Sequence, residues 1–313
     1  MKFLWITLGI VLFIIAVVLI LAYVCYRMAF YVKRRKGVKD DMFEMPGGEI
    51  YEPFRASMEK WAKETREMPH EEFSITSFDG LKLYGKYYEC KKGAPIELMF
   101  HGYRGSAQRD LSGGVQRCFA LERNALIVDQ RCSGKSDGKV ITFGVNEHKD
   151  CLKWVDFMVN HFGDDVKIII TGISMGAATV LMAAGQTLPK NVIGALADCG
   201  YNSAKDIIKK VIKQLGLPAS ISYFFVKLGA RIYGHFDLEE TSPEQALKNC
   251  TIPVIFFHGE DDEFVPCEMS KINYSVCKSK KMIVTVKGAG HGLSYLVDPE
   301  KYLTSLKEFE QSF

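Results

Sequence analysis

Residues 168–188 read IIITGISMGAATVLMAAGQTL, and this stretch decides the fold. An apolar run leads into Gly172-Ile173-Ser174-Met175-Gly176, and a segment with helical character, 177–188, follows it. The pattern is G-x-S-x-G between a strand and a helix, the context in which a serine is presented as a nucleophile. The glycines have a steric reason. A sharp strand-to-helix turn brings neighbouring chain close to positions 172 and 176, where side chains would collide. The helix start behind Ser174 also favours developing negative charge. A glycine-rich turn that merely contains a serine has the same five letters, so the partners of Ser174 decide between the two readings.

Outward from this stretch, short apolar runs recur at 96–100, 125–129, 166–171, 192–197, 254–257 and 282–286, with helical segments such as 147–161 and 177–188 between them. Strands buried on both faces read as continuous apolar runs, and alternation with helices predicts a parallel sheet. Upstream, 72–77 and 81–88 alternate around Asp79-Gly80, a hairpin signal. The expectation is a mostly parallel central sheet with helices on both faces. Residues 53–66 predict a short helix, with Pro53 at its start and Phe54, Met58, Trp61 and Ala62 at helical spacing.

The partners follow in the order serine, acid, histidine. His291 lies in Gly288-Ala289-Gly290-His291-Gly292, after the last apolar run, where its imidazole can reach the C-terminal sheet edge as general base for Ser174. The acid lies in HGEDDEFVP, 258–266. Asp262 is favoured by its spacing to Val265-Pro266, with Asp261 one position away as the alternative. A carboxylate there fixes the imidazole tautomer and stabilises the imidazolium. An oxyanion hole needs two backbone N–H groups. That of Met175, after the nucleophile, is one. The other is expected from Tyr103 in His101-Gly102-Tyr103-Arg104-Gly105, the loop after 96–100.

Taken together, HGYRG, DQRCSGKS, GISMG, HGEDDEFVP and GAGHG resemble the alpha/beta-hydrolase superfamily. The set is most similar to its small-lid bacterial esterase and serine-aminopeptidase or monoacylglycerol-lipase-like branch. The resemblance covers 77–313. It implies an alpha/beta-hydrolase fold with Ser174 as nucleophile, Asp262 as acid, His291 as base, and Tyr103 and Met175 at the oxyanion hole. Cys132 stands where the family loop has Gly, in a segment whose role is structural. The resemblance also makes 201–249 a lid insertion. Its apolar residues, among them Ile207, Ile208, Tyr223, Phe224 and Phe225, either face a greasy acyl substrate or pack the lid on the core. A serine at position 174 excludes dehalogenase and epoxide-hydrolase chemistry, which would place Asp there.

Residues 3–26, FLWITLGIVLFIIAVVLILAYVCY, carry no charge. That is long enough to cross a bilayer core and longer than the apolar region of a secretory signal, and Arg27 follows in place of a small-residue cleavage site. The expectation is an uncleaved single-pass anchor. Lys2 precedes it, while Arg27, Lys33, Arg34, Arg35, Lys36 and Lys39 follow, which places the catalytic domain on the cytoplasmic side.

The chain has 313 residues, with 40 basic against 37 acidic ones and a net charge of +3. That balance argues against nucleic acid as a partner. Nine scattered cysteines without a C-x-x-C pair signal no zinc site. No metal or organic cofactor is implied. The expected organisation is an anchor with basic flank at 1–36, a linker and short helix at 37–70, and an alpha/beta-hydrolase domain at 71–313. The expected activity is hydrolysis of an ester or thioester with an apolar acyl part, near the membrane. An aminopeptidase or amidase, or an idle membrane-tethered binding module, are the alternatives.

Overall fold

The computed structural model of the chain describes residues 1–33 and 45–311. Arg34, Arg35, Lys36 and Lys39 of the basic flank, with most of the expected linker, lie outside the described residues.

Eight strands form one sheet: β1 (Glu71–Thr76), β2 (Lys82–Tyr88), β3 (Ile96–Phe100), β4 (Asn124–Asp129), β5 (Ile168–Ile173), β6 (Val192–Asp198), β7 (Val254–Gly259) and β8 (Lys281–Val286). Their order is β1-β2-β4-β3-β5-β6-β7-β8. The hairpin β1–β2 is antiparallel, β2 runs antiparallel to β4, and the remaining neighbours are parallel. The eleven helices among the described residues are α1 (Lys2–Ala29), α2 (Arg55–Glu67), α3 (Ala107–Ala120), α4 (Glu147–Phe162), α5 (Met175–Ala184), α6 (Ala204–Gln214), α7 (Ala219–Tyr233), α8 (Pro243–Ala246), α9 (Cys267–Val276), α10 (Ser294–Val297) and α11 (Pro299–Gln311).

The apolar runs serve both faces of the sheet by simple alternation. Leu98, Phe100, Leu126, Val128, Ile168, Ile170 and Phe256 pack with Trp154 of α4 and Val180 of α5. Met99, Ala125 and Ile127 pack under Leu111 and Val115 of α3, and Leu196, Ile255 and Phe257 under Tyr302 and Leu306 of α11. Glu97 breaks the apolar pattern, fully buried in β3. Burial alone would raise its pKa, but Arg117 and Arg123 pair with it and bring it down to about 2.

Several boundaries differ from the sequence expectation by a few residues, and two of these bear on the site. Glu49–Phe54 is a 3-10 turn that contains Pro53, and α2 starts only at Arg55. The strand expected at 166–171 runs Ile168–Ile173 and so delivers Ile173 directly to Ser174.

All nine cysteines are free. Cys132 is buried with a φ of +73°, the left-handed region that explains why a Gly suits this place.

The helix α1 is about 42 Å long at 1.5 Å per residue, long and apolar enough to cross a membrane. Most of it is exposed. Its last turns are not, because Ala22 and Tyr26 are buried against Gly229 of α7, where any Cβ would collide with the Ala22 carbonyl. Beyond α1, Val32 N–H donates to Lys139 O at 2.9 Å and Ile141 N–H to Phe30 O at 2.9 Å. Contact with the domain thus begins within the last turns of α1.

Candidate active site

The sheet's registers bring the site together. Phe100 of β3 lies opposite Gly172 of β5, so the loops starting at His101 and Ser174 leave the sheet side by side. Gly259 of β7 lies opposite Val286 of β8, which sets the 260–266 turn beside the loop carrying His291. The strand order reverses around β3, and in open α/β sheets such a switch point at the C-terminal strand ends forms the ligand crevice.

Ser174 has a φ of +57°, a strained conformation for a non-glycine residue. Its neighbours explain how the strain is held. A Cβ at Gly172 would collide with the Gly176 carbonyl, and one at Gly176 with the Phe100 carbonyl. Ser174 N–H donates to Asp198 O at 2.8 Å, and α5 begins at the next residue.

Ser174 Oγ lies 2.9 Å from His291 Nε2, and His291 Nδ1 lies 2.7 Å from Asp262 Oδ2. Asp262 Oδ1 accepts from the Phe264 and Val265 N–H groups at 2.9 and 2.8 Å. Asp261, by contrast, is exposed. Burial would raise the Asp262 carboxyl, but hydrogen bonds to His258 and His291 and from Val265 N–H hold it well below the usual carboxylate range. Phe264 meets the His291 ring edge-on at 5.1 Å.

Met175 is the first residue of α5, so its N–H has no intrahelical acceptor. Tyr103 follows Gly102, whose N–H donates to Asp110 Oδ2 at 3.1 Å. Arg109 Nε holds the other oxygen of Asp110 at 2.5 Å. His101 is locked behind this loop. Gln130 N–H donates to its Nε2 at 3.0 Å, which leaves Nδ1 as the donor to Gly102 O at 2.8 Å.

A cavity of about 270 Å³ opens at Ser174 and His291. Met99, Leu111, Ile173, Leu196 and Leu296 line it, with Met58 and Trp61 of α2 and Tyr295 of α10. Among the described residues none of its lining comes from 201–249. That segment was expected to shape the pocket, but its α7 packs on α1 instead. Its α6 reaches the acid turn, where Lys210 Nζ donates to Glu263 O and, at 2.9 Å, to Phe264 O.

Donor atoms of Cys199, Asp262 and His291 lie within 4.8 Å of one another, a spacing a metal ion could use. Burial raises the Cys199 thiol well above its usual value, and Asp262 and His291 are already bonded to each other. A metal needs the thiolate, so this cluster is a poor ion site.

Several supporting residues were not singled out in the sequence. His258, the penultimate residue of β7, has Nδ1 2.6 Å from Ser270 Oγ and Nε2 2.7 Å from Val265 O, fixing the turn that carries Asp262. It stood in the HGEDDEFVP motif, and a histidine near the end of a buried strand was the available signal. Tyr51 donates from its hydroxyl to His291 O at 3.0 Å. Nothing local in the sequence marks Tyr51, Trp61 or Asp110 as belonging here.

No family model matches the chain. It is 26% identical over 305 residues to the uncharacterized protein YqkD of Bacillus subtilis, covering 95% of this chain and 94% of that one. Among solved structures it is similar to the Pyrococcus furiosus esterase Pf2001, with TM-score 0.63 and 20% identity over 80% of this chain and 95% of that one. It is also similar to Est1E of Butyrivibrio proteoclasticus, a structure with ferulic acid bound, with TM-score 0.58 and 21% identity over 77% of this chain and 98% of that one. The chain has the alpha/beta-hydrolase fold.

Proposed function

On this alpha/beta-hydrolase fold, we propose a membrane-anchored serine hydrolase that cleaves a carboxylic ester or thioester with an apolar acyl part. The observation that carries the reading is the hydrogen-bonded chain Ser174–His291–Asp262 opening onto an apolar cavity.

In this reading His291 Nε2 takes the proton of Ser174 Oγ as the oxygen attacks the acyl carbon. Asp262 stabilises the imidazolium and holds the tautomer that leaves Nε2 free. The oxyanion develops between the N–H groups of Met175 and Tyr103, at the N-terminus of α5. His291 then protonates the leaving alcohol or thiol. Water, activated by the same imidazole, hydrolyses the acyl-enzyme and frees Ser174. The acyl chain lies between α2, α3 and Tyr295. The exposed, uncharged length of α1 spans the bilayer, and the charge balance around it puts the domain in the cytoplasm.

The test uses the full chain in detergent micelles: fluorophosphonate labelling beside hydrolysis of p-nitrophenyl esters from acetate to palmitate, for wild type and Ser174→Ala. Labelling and turnover that both vanish in the variant are expected. Labelling without ester turnover would move the reading to amides. A folded wild type that neither labels nor turns over would overturn it in favour of a binding module.

A further inference from the structure

Helix α1 does more at its end than leave the membrane. The last four carbonyls of an α-helix have no intrahelical donor. Two of those of α1 are taken by the loop after β3. Tyr103 donates from its hydroxyl to Ala29 O at 2.8 Å. Arg104 donates from its guanidinium to Met28 O at 2.8 Å and to Tyr31 O at 3.3 Å. A cation at a helix C-terminus also meets the negative end of the helix dipole.

The residue after α1 seals the joint. Phe30 is fully buried and meets Phe143 and Phe236 edge-on at 5.8 and 5.2 Å. Phe143 in turn packs on the Tyr103 ring at 5.1 Å. Arg104 has a φ of +54°, a conformation that persists in a non-glycine residue only when the surroundings hold it. Asp110 holds this loop on its inner side through Gly102 N–H, and the end of α1 holds it on the outer side.

We infer that the C-terminal end of α1, through Phe30 and the Met28 and Ala29 carbonyls, is a positioning element that keeps the Tyr103 N–H aimed at the developing oxyanion. The inference rests on the serine-hydrolase reading. It makes the apolar helix a working part of the site, so that displacing its end from the domain slows turnover even of a soluble ester.

The experiment keeps the full chain in micelles. Tyr103→Phe removes one hydroxyl and leaves the ring and the N–H. Phe30→Ala empties the joint, and Phe30→Leu refills most of it. The measurements are kcat and KM for p-nitrophenyl butyrate, inhibition by an alkyl trifluoromethyl ketone whose adduct bears an oxyanion, and thermal unfolding.

Tyr103→Phe is expected to lower kcat and ketone affinity together by about tenfold with KM nearly unchanged, short of the ~10²–10³ lost when an oxyanion donor is deleted. Phe30→Ala is expected to lose more, and Phe30→Leu to recover most of it. Wild-type kcat and ketone affinity in Tyr103→Phe would overturn the inference. So would losses that follow the melting temperature and leave ketone affinity untouched. A wild type that takes no fluorophosphonate would sink the serine-hydrolase reading itself, and this inference with it.

Discussion

Trp61, in the helix before the first strand, stacks on Tyr295, just beyond His291, with ring centroids 5.7 Å apart and planes at 27°. The contact closes the cavity from a side that belongs to neither the sheet nor the 201–249 segment. It makes α2 a wall of the site, although that segment reads in the sequence as a linker and short helix.

The acyl-chain profile should therefore respond to α2. Trp61→Ala is expected to shift the preferred p-nitrophenyl ester to a longer chain. Because Trp61 is only partly buried, its stability cost should fall below the ~3–5 kcal/mol of a fully buried aromatic. Gly113→Ala places a methyl 3.1 Å from the Trp61 ring and should shift the profile toward shorter chains. Alanine exceeds glycine in helix propensity by about 1 kcal/mol, so a shorter-chain preference there would not reflect a weakened helix. Unchanged profiles in both variants would remove α2 from the acyl site.

Asp262 and Asp261 can be separated by charge removal. Asp262→Asn is expected to lower kcat by about 10⁴, the scale for an imidazole held in the wrong tautomer. Asp261→Asn should stay within a few-fold, since its side chain is exposed and Asp262 alone reaches His291. A steady-state comparison of the two variants on one ester decides it, and the reverse order of effects would exchange their roles.

Acid should remove the stability contributed by two buried carboxylates, Glu97 and Asp262. The pKa of Glu97 is held down to about 2 and that of Asp262 is also depressed. A folded-state pKa below the unfolded value of roughly 4 contributes stability that is complete above that value and is lost as pH falls through it. The contribution of these two groups to thermal stability should therefore be lost between about pH 4 and pH 2. Glu97→Gln leaves Arg117 and Arg123 without their shared partner and should cost about 3–5 kcal/mol at pH 7. A melting temperature in Glu97→Gln equal to wild type would contradict this.

The seat of α1 can be tested at Gly229. Its Cβ would collide with the Ala22 carbonyl, so Gly229→Val must push the helices apart. A lower melting temperature and faster proteolysis between α1 and the domain are expected. Gly229→Val behaving as wild type in both assays would mean that α1 is not seated on α7.

Cys90 is the only exposed cysteine among the described residues, with Cys25 and Cys267 partly buried and the others buried, and it reports on topology. With a cytoplasmic domain, a maleimide that cannot cross membranes should label Cys90 only after cell lysis. Labelling in intact cells, lost in Cys90→Ser, would reverse the orientation.

How much of this was legible in the sequence follows from the range of the forces involved. The strands read correctly because burial on both sheet faces leaves a continuous apolar run, and the β1–β2 hairpin because Asp79-Gly80 dictates a tight turn locally. The motif at Gly172–Gly176 carries part of its own steric reason, since the strand-to-helix turn itself crowds Gly172, whereas Gly176 is crowded by the Phe100 and His101 backbone at the end of β3. The uncharged length of α1 likewise needs no tertiary information. Other features depend on where single side chains and backbone groups come to lie in space, and only the folded chain decides them. The 260–266 turn, held by His258 and the Val265 N–H, determines which carboxylate meets His291. The packing of α2 on α3 and Tyr295 supplies the cavity wall. The seating of Phe30 joins a membrane-type helix to the Tyr103 loop. Such contacts leave no periodicity in the chain, because each pairs single residues of different segments rather than a repeating face of one element.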